Sequence, residues 1–249
     1  AVRTEDVWKI YAQEPEDVEA VRGVAETCKA IKLKEHPEHP VPIIAGNVSF
    51  YNESRNGAIP PSPIISCLGK LEDVNKVVTP HFKEVGSKIF LIGERKDECG
   101  GSVYYSLKGE LGANLPRPDV HEVTRQMYAL TDAVSDGLVL SCHDISEGGI
   151  STALAEMSFL NTIGCEAMIN GNCRIDKLLF SESGGFVLEL KSSNVSEISS
   201  IFHRYDLDII EVGRTTAGGR LRMNGVIDIE LQSAKKAWTE GLRIRLAQL

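Results

Sequence analysis

An apolar stretch that suddenly turns polar, Ala45-Gly46-Asn47-Val48-Ser49-Phe50-Tyr51-Asn52-Glu53, holds the residues best suited to chemistry in this chain. Glycine lets a ligand come close to the backbone, and the carboxamide oxygen of Asn47 is a neutral ligand for a hard cation such as Mg²⁺. Side chains of an extended segment repeat on one face every second residue, so Ser49 points the same way as Asn47. A metal ligand beside a hydroxyl would suit a nucleotide phosphate. The same residues also fit a strand that merely ends in a polar turn.

Three further groups carry reactive side chains. His143-Asp144-Ile145-Ser146-Glu147-Gly148-Gly149 offers an acid/base pair, or an anion site at helix-terminal N–H groups. Equally, Ser146 or Asp144 could cap a helix while the glycines allow a tight turn against a sheet. Gly100-Gly101-Ser102 closes a charged loop that starts at Glu94, a weak signal for phosphate binding. Phe180-Ser181-Glu182-Ser183-Gly184-Gly185 reads as a polar turn leading into an apolar strand. His36-Pro37-Glu38-His39-Pro40 has metal-ligand residue types but reads as a Pro-rich connector.

The elements that must position these groups follow from periodicity. Pro15, followed by Glu16, Asp17 and Glu19, opens a helix over 15–34, with Val18, Val21, Val24, Ala25, Cys28 and Ile31 on one stripe. Strands are expected over 42–51 and, after the proline cluster at 60–63, over 64–68. Their pairing partners are expected upstream of residue 1. Farther on, strands are expected at 88–93, 138–140, 186–190, 209–212 and 221–223, and helices at 120–134, 150–160, 195–205 and 233–246. Asn224-Gly225 predicts a tight hairpin turn. This mixture implies an α/β or α+β layered fold.

The chain has 249 residues, 42% apolar and 25% charged, ordinary for a globular protein of one large or two smaller domains. No apolar run approaches the roughly 20 residues of a membrane-spanning helix. The first residues, Ala-Val-Arg-Thr-Glu-Asp, lack a signal-peptide pattern. A net charge of −8 argues against nucleic-acid binding, which needs a basic face. Six cysteines without a CxxC pair imply reduced thiols in a cytoplasmic protein.

Taken together and in order, the motifs resemble the second half of phosphoribosylformylglycinamidine synthase. They are Val21-Arg22-Gly23 with Cys28, Gly46 to Glu53, Ile59 to Pro63, Leu71 to Val74, Gly100 to Ser102, His143 to Gly149, Ala153 to Met157 and Leu179 to Ser183. The resemblance implies part of an N-type aminoimidazole ribonucleotide synthetase-like domain over residues 1–80. A C-type mixed α/β sandwich domain would follow over 81–249. It further implies a ligase of purine biosynthesis that uses ATP, Mg²⁺ and ammonia to make an amidine from formylglycinamide ribonucleotide. Its implied partners are the missing N-terminal half, a glutaminase subunit, a small accessory subunit and a nucleotide substrate, with no nucleic acid and no membrane. Residue by residue, Gly46 would contact ATP, Asn47 would bind Mg²⁺ and Ser49 would contact the substrate. No catalytic residue is carried over, because the family's catalytic histidines lie in its first half, and the isolated piece is expected to be inactive.

Three departures accompany the resemblance. Ala45 stands where the family more often has glycine or serine, and residues 1–14 match poorly. Gly184-Gly185-Phe186 follows Ser181-Glu182-Ser183, where the family often carries an arginine. Two alternatives follow: a non-catalytic scaffold half that binds a structural nucleotide or docks the glutaminase, or a small-molecule kinase of the same superfamily.

Overall fold

A computed structural model describes residues 15–34, 36–46, 53–55, 57–58, 64–71 and 73–246. The chain divides into two compact units, residues 1–70 and 71–249.

In the first unit, helix α1 spans Pro15–Ala30 and stops four residues short of the expected end. The N–H of Val41 reaches back to the carbonyls of Cys28 (3.2 Å) and Ile31 (3.1 Å), satisfying acceptors that a longer helix would have used. This return folds β1 (Lys32–Leu33) against β2 (His36–Pro40), so the Pro-rich connector is a short antiparallel strand. A second small ladder joins β3 (Glu53–Ser54) to β4 (Gly57–Ala58). The strand expected over 42–51 is not seen at 41–46, which form no regular element, and 47–52 lie outside the described residues. Residues 64–68 are not a strand either, with Ile64 96% and Leu68 92% exposed. A strand exists only through cross-strand hydrogen bonds, and the described residues of this unit give that stretch no ladder.

The second unit is built on a seven-stranded mixed sheet. Its strands are β5 (Lys88–Ile92), β6 (Val139–Asp144), β7 (Gly164–Ala167), β8 (Phe186–Leu190), β9 (Ile210–Thr216), β10 (Arg220–Met223) and β11 (Ile227–Glu230). They lie in the order β11-β10-β7-β9-β5-β8-β6, antiparallel except for the β10–β7 pair. Its helices are α2 (Val103–Ser106), α3 (Val120–Ser135), α4 (Gly149–Phe159), α5 (Ile175–Phe180), α6 (Val195–His203) and α7 (Leu231–Leu246).

Alternation along β5 separates two cores. Ile89 and Leu91 join Ile150, Leu154 and Met157 of α4, Leu178 and Leu179 of α5 and Leu231 of α7. Phe90 and Ile92 join Ala129 and Ala133 of α3 with Ile198, Ile201 and Phe202 of α6. Helices therefore cover both faces of the sheet, the layered α/β arrangement expected from the sequence. The segment before β5 belongs to this unit. Phe82 is fully buried, its N–H bonding Met157 O (2.8 Å). Glu189 on β8 is buried too, and its carboxylate accepts from Lys83 N, Glu84 N, Ser87 Oγ and Ser141 Oγ at 2.7–3.0 Å. Four donors replace the water this carboxylate lost.

Several elements differ from expectation. Strand β6 runs on through His143 and Asp144, placing both on the sheet rather than in the following loop. Strand β9 continues past Val212 because Gly213 lets it approach β7. A Cβ there would sit 2.1 Å from Glu166 O. Strand β7 and helix α5 were not anticipated, being too short to show a period.

Candidate functional site

Of the three residues singled out for ligand binding, Gly46 is exposed in the irregular stretch 41–46, with open space where a Cβ would stand. Asn47 and Ser49 lie outside the described residues. The other three motifs all lie in the second unit, at one end of the strands β5, β8 and β6. Strands β5 and β6 end there and β8 begins there, because β8 lies antiparallel between them.

Glu182 joins the three motifs. Its Oε1 accepts the N–H of Val103 (3.0 Å), at the start of α2, and of Gly148 (2.8 Å), at the start of α4. The cap of α4 thus comes from a distant loop, and neither Asp144 nor Ser146 supplies it. The glycines do allow a tight turn, and it packs against helix α5. Gly148 and Gly149 take left-handed φ of 78° and 68°, and a Cβ on Gly149 would meet Leu179 O at 2.7 Å.

The Gly100–Ser102 loop is closed on itself. Gly100 N bonds Asn114 O (2.7 Å), Gly101 N bonds Leu111 O (2.7 Å) and Ser102 N bonds Cys99 O (3.2 Å). With Val103 N held by Glu182, four successive N–H groups are spoken for, and no open cradle for a phosphate remains. Ser102 is the N-cap of α2, its Oγ accepting from Tyr105 N.

Two buried cations fasten this loop, and neither stood out in the sequence. Lys177 on α5 bonds Asp97 Oδ1 (2.6 Å) and Tyr105 OH (2.5 Å), and those partners hold its pKa above the usual lysine value. Arg95 is 3% exposed. Its Nη1 donates to Ser181 O (3.4 Å) and its Nη2 to Gly184 O. A guanidinium therefore reaches the Ser181–Gly185 loop from the β5 side, although that loop has no arginine of its own. Burial lowers the pKa of Arg95 to about 10, which still leaves it charged at neutral pH. A lone arginine in a charged loop carries no sequence signal for such burial.

His143 lies on β6 with Nδ1 2.7 Å from Asp144 O and Nε2 3.2 Å from Glu156 Oε2. Trp238 on α7 donates to the other oxygen of Glu156 (2.9 Å), so these side chains lock β6, α4 and α7 together. On β2, Glu38 Oε1 lies 3.5 Å from His36 Nδ1 and 3.3 Å from His39 Nε2, an exposed cluster. Among the described residues no three His, Cys, Asp or Glu side chains are placed to hold a metal ion. The Gly100–Val103 loop therefore offers no free N–H group to a nucleotide phosphate.

Comparison with known proteins agrees with this architecture. The family described as "AIR synthase related protein, C-terminal domain" matches residues 84–225. Phosphoribosylformylglycinamidine synthase subunit PurL of Methanothrix thermoacetophila is 42% identical over 231 residues, covering 90% of this chain and 30% of that protein. PurL of Symbiobacterium thermophilum is 36% identical over 211 residues, covering 82% of this chain and 26% of that protein. The chain thus spans about 30% of the length of the curated relatives it matches. Among solved structures, T. maritima PurL complexed with FGAR gives a TM-score of 0.58 at 17% identity, over 65% of this chain and 30% of that one. The structure of PurLQS from Thermotoga maritima gives 0.55 at 17% identity, over 65% and 28%. These structures share its fold, and the family match takes in the strand ends where the three motifs meet. The chain belongs to the AIR synthase related proteins through their C-terminal domain, and the resemblance to phosphoribosylformylglycinamidine synthase carried by its motifs is borne out.

Proposed function

We propose that this chain supplies one part of a cytoplasmic phosphoribosylformylglycinamidine synthase. The complete enzyme would use ATP, Mg²⁺ and glutamine-derived ammonia to convert formylglycinamide ribonucleotide into its amidine during purine biosynthesis. The observation that carries this reading is the 42% identity to a PurL subunit across 90% of the chain. T. maritima PurL, similar in fold, has been solved with FGAR and with ATP. On this reading residues 1–80 are the end of an N-type domain and 81–249 a C-type domain. The seam between the compact units falls at 70/71, slightly earlier. Gly46 contacts ATP, Asn47 holds Mg²⁺ through its carboxamide oxygen, and Ser49 contacts the substrate from the same face. The chain is inactive alone and works with the rest of the synthetase, a glutaminase and a small accessory subunit.

The test is reconstitution. The chain is mixed with a polypeptide carrying the remainder of a PurL subunit, and ATP-dependent amidine formation is followed with ammonia or a glutaminase. Activity should need both pieces, and Asn47→Ala should lower it at least tenfold, with partial recovery at raised Mg²⁺, the loss of one oriented metal ligand being worth about 1.4 kcal/mol or more. Two folded pieces without activity would overturn the proposal, and an unchanged Asn47→Ala rate would remove the metal role. The closed Gly100–Val103 loop favours a second reading, in which this part mainly scaffolds. Calorimetry showing tight ADP binding by the chain, with no turnover after mixing, would select it.

A further inference from the structure

The pair Asn-Gly occurs three times in the chain, as Asn56-Gly57, Asn170-Gly171 and Asn224-Gly225. Such a pair is open to attack by the glycine amide nitrogen on the preceding carboxamide, because glycine puts no side chain in the way. Asn56 lies outside the described residues. The other two stand close in the fold, since the side chain of Asn224 bonds Ile169, the residue before Asn170. They share a sequence and differ in the conditions the reaction needs.

Asn224 is held. Its Oδ1 accepts from Ile169 N at 2.8 Å and its Nδ2 donates to Ile169 O at 2.7 Å, so the carboxamide cannot turn toward Gly225 N without losing both bonds. Asn170 is exposed, and among the described residues neither its carboxamide nor the N–H of Gly171 has a hydrogen-bond partner. Residues 171–173 form bends, before α5 begins at Ile175, so no helix or strand fixes the attacking nitrogen. Packing keeps the glycine in place. A Cβ at 171 would stand 2.7 Å from Cδ2 of Leu178, which is buried in the core. The fold therefore calls for glycine at the position that leaves Asn170 open to attack.

We propose that Asn170 is a site of self-modification, at which the chain deamidates to isoaspartate while the fold protects Asn224. The amide nitrogen of Gly171 gives up its proton and bonds Cγ of Asn170. The bond from Cγ to Nδ2 breaks, and ammonia leaves carrying that proton. The cyclic imide takes up one water at either carbonyl, which yields aspartate or isoaspartate without any oxidant or reductant. Either product puts a negative charge at 170. Isoaspartate also adds a methylene to the main chain just after Ile169, which is buried and tied to Asn224. The junction of β7 with the β10–β11 hairpin therefore loosens as the chain ages. None of these steps needs ATP, Mg²⁺ or the rest of a synthetase.

In the test, the whole chain is incubated in warm, mildly alkaline buffer, folded and, in parallel, unfolded in guanidinium. Incubation lasts until the unfolded sample has deamidated at both residues. Peptide mass spectrometry then locates each amide-to-acid exchange, and an isoaspartate-specific carboxyl methyltransferase tells isoaspartate from aspartate. In the folded chain Asn170 should react roughly tenfold or more faster than Asn224, whose two hydrogen bonds must break first. In the unfolded chain the two should react at similar rates. Asn170→Gln keeps an exposed carboxamide but closes an imide far more slowly. It should form no isoaspartate at 170 and hold its Tm through the incubation, while wild type loses Tm in step with modification there. Equal rates at the two residues in the folded chain, or an intact Asn170, would overturn the proposal. A Tm unchanged by full modification would remove the loosening.

Discussion

Glu182 shows how one carboxylate can organise a site without touching a ligand. Its Oε1 takes an N–H from each of two helix starts, Val103 and Gly148, that lie far apart in sequence. Both bonds have a charged acceptor, and the start of a helix favours negative charge, so the two effects add. Removing the side chain leaves two N–H groups to find water at a crowded loop junction. Glu182→Ala should therefore lower the unfolding free energy by about 2–3 kcal/mol. Glu182→Gln keeps an oxygen in reach and gives up only the charge, so its loss should stay near 1 kcal/mol. Urea unfolding of the three proteins measures this order. An alanine variant as stable as wild type would mean that the loops hold their places without Glu182.

At the scale of elements, the turn between β10 and β11 joins a local preference to a long-range contact. Asn224 and Gly225 both take left-handed φ, 50° and 67°, as the Asn-Gly pair implies. The side chain of Asn224 then does what no local rule states. It accepts from Ile169 N (2.8 Å) and donates to Ile169 O (2.7 Å), tying the hairpin to the chain just beyond β7. Asn224→Ala loses both bonds and strains the left-handed backbone, about 2–3 kcal/mol in all. Asn224→Gly removes the strain and should cost roughly 1 kcal/mol less. Equal destabilisation by the two would leave backbone conformation out of the account. The contrast marks what the sequence could disclose. Period-2 and period-3.6 patterns disclosed β5, β8, α3, α4 and α6, whose faces are buried on one side or both. They failed where tertiary approach decides, as at Gly213, which looked like a strand end and is paired closely with Ala167 of β7. They failed also at 64–68, apolar but unpaired among the described residues. The loop motifs were legible one by one. Their convergence on Glu182 was not, because it depends on β8 lying between β5 and β6, a property of sheet order rather than of any segment.

For the molecule as a whole, the extent of the folding unit can be separated from the extent of the family match. The match covers residues 84–225, whereas the compact second unit spans 71–249. The difference is not ornamental. Upstream of 84, Phe82 is fully buried in the core with Met157 and Leu154, and Lys83 N is one of the four donors to the buried Glu189. Downstream of 225, β11 completes the sheet edge beside β10, and Leu231 of α7 enters the same core. Lys235 of α7 also bonds Phe159 O (2.8 Å) at the end of α4. Loss of a buried phenylalanine alone costs about 3–5 kcal/mol, and an under-satisfied buried carboxylate adds about 1–3 kcal/mol. Stripping α7 from its core face adds more, against a total stability of about 5–15 kcal/mol for a domain. A fragment of residues 71–249 should therefore unfold in urea as one cooperative transition. One of 84–225 should show a collapsed or absent transition and bind hydrophobic dyes in native buffer. Restoring residues 71–83 alone should recover only part of the loss, because α7 contributes separately. If 84–225 unfolds as sharply and at the same urea concentration as 71–249, then Phe82, Lys83 and α7 only decorate the domain, and the strap from 71 to 83 is not part of its core.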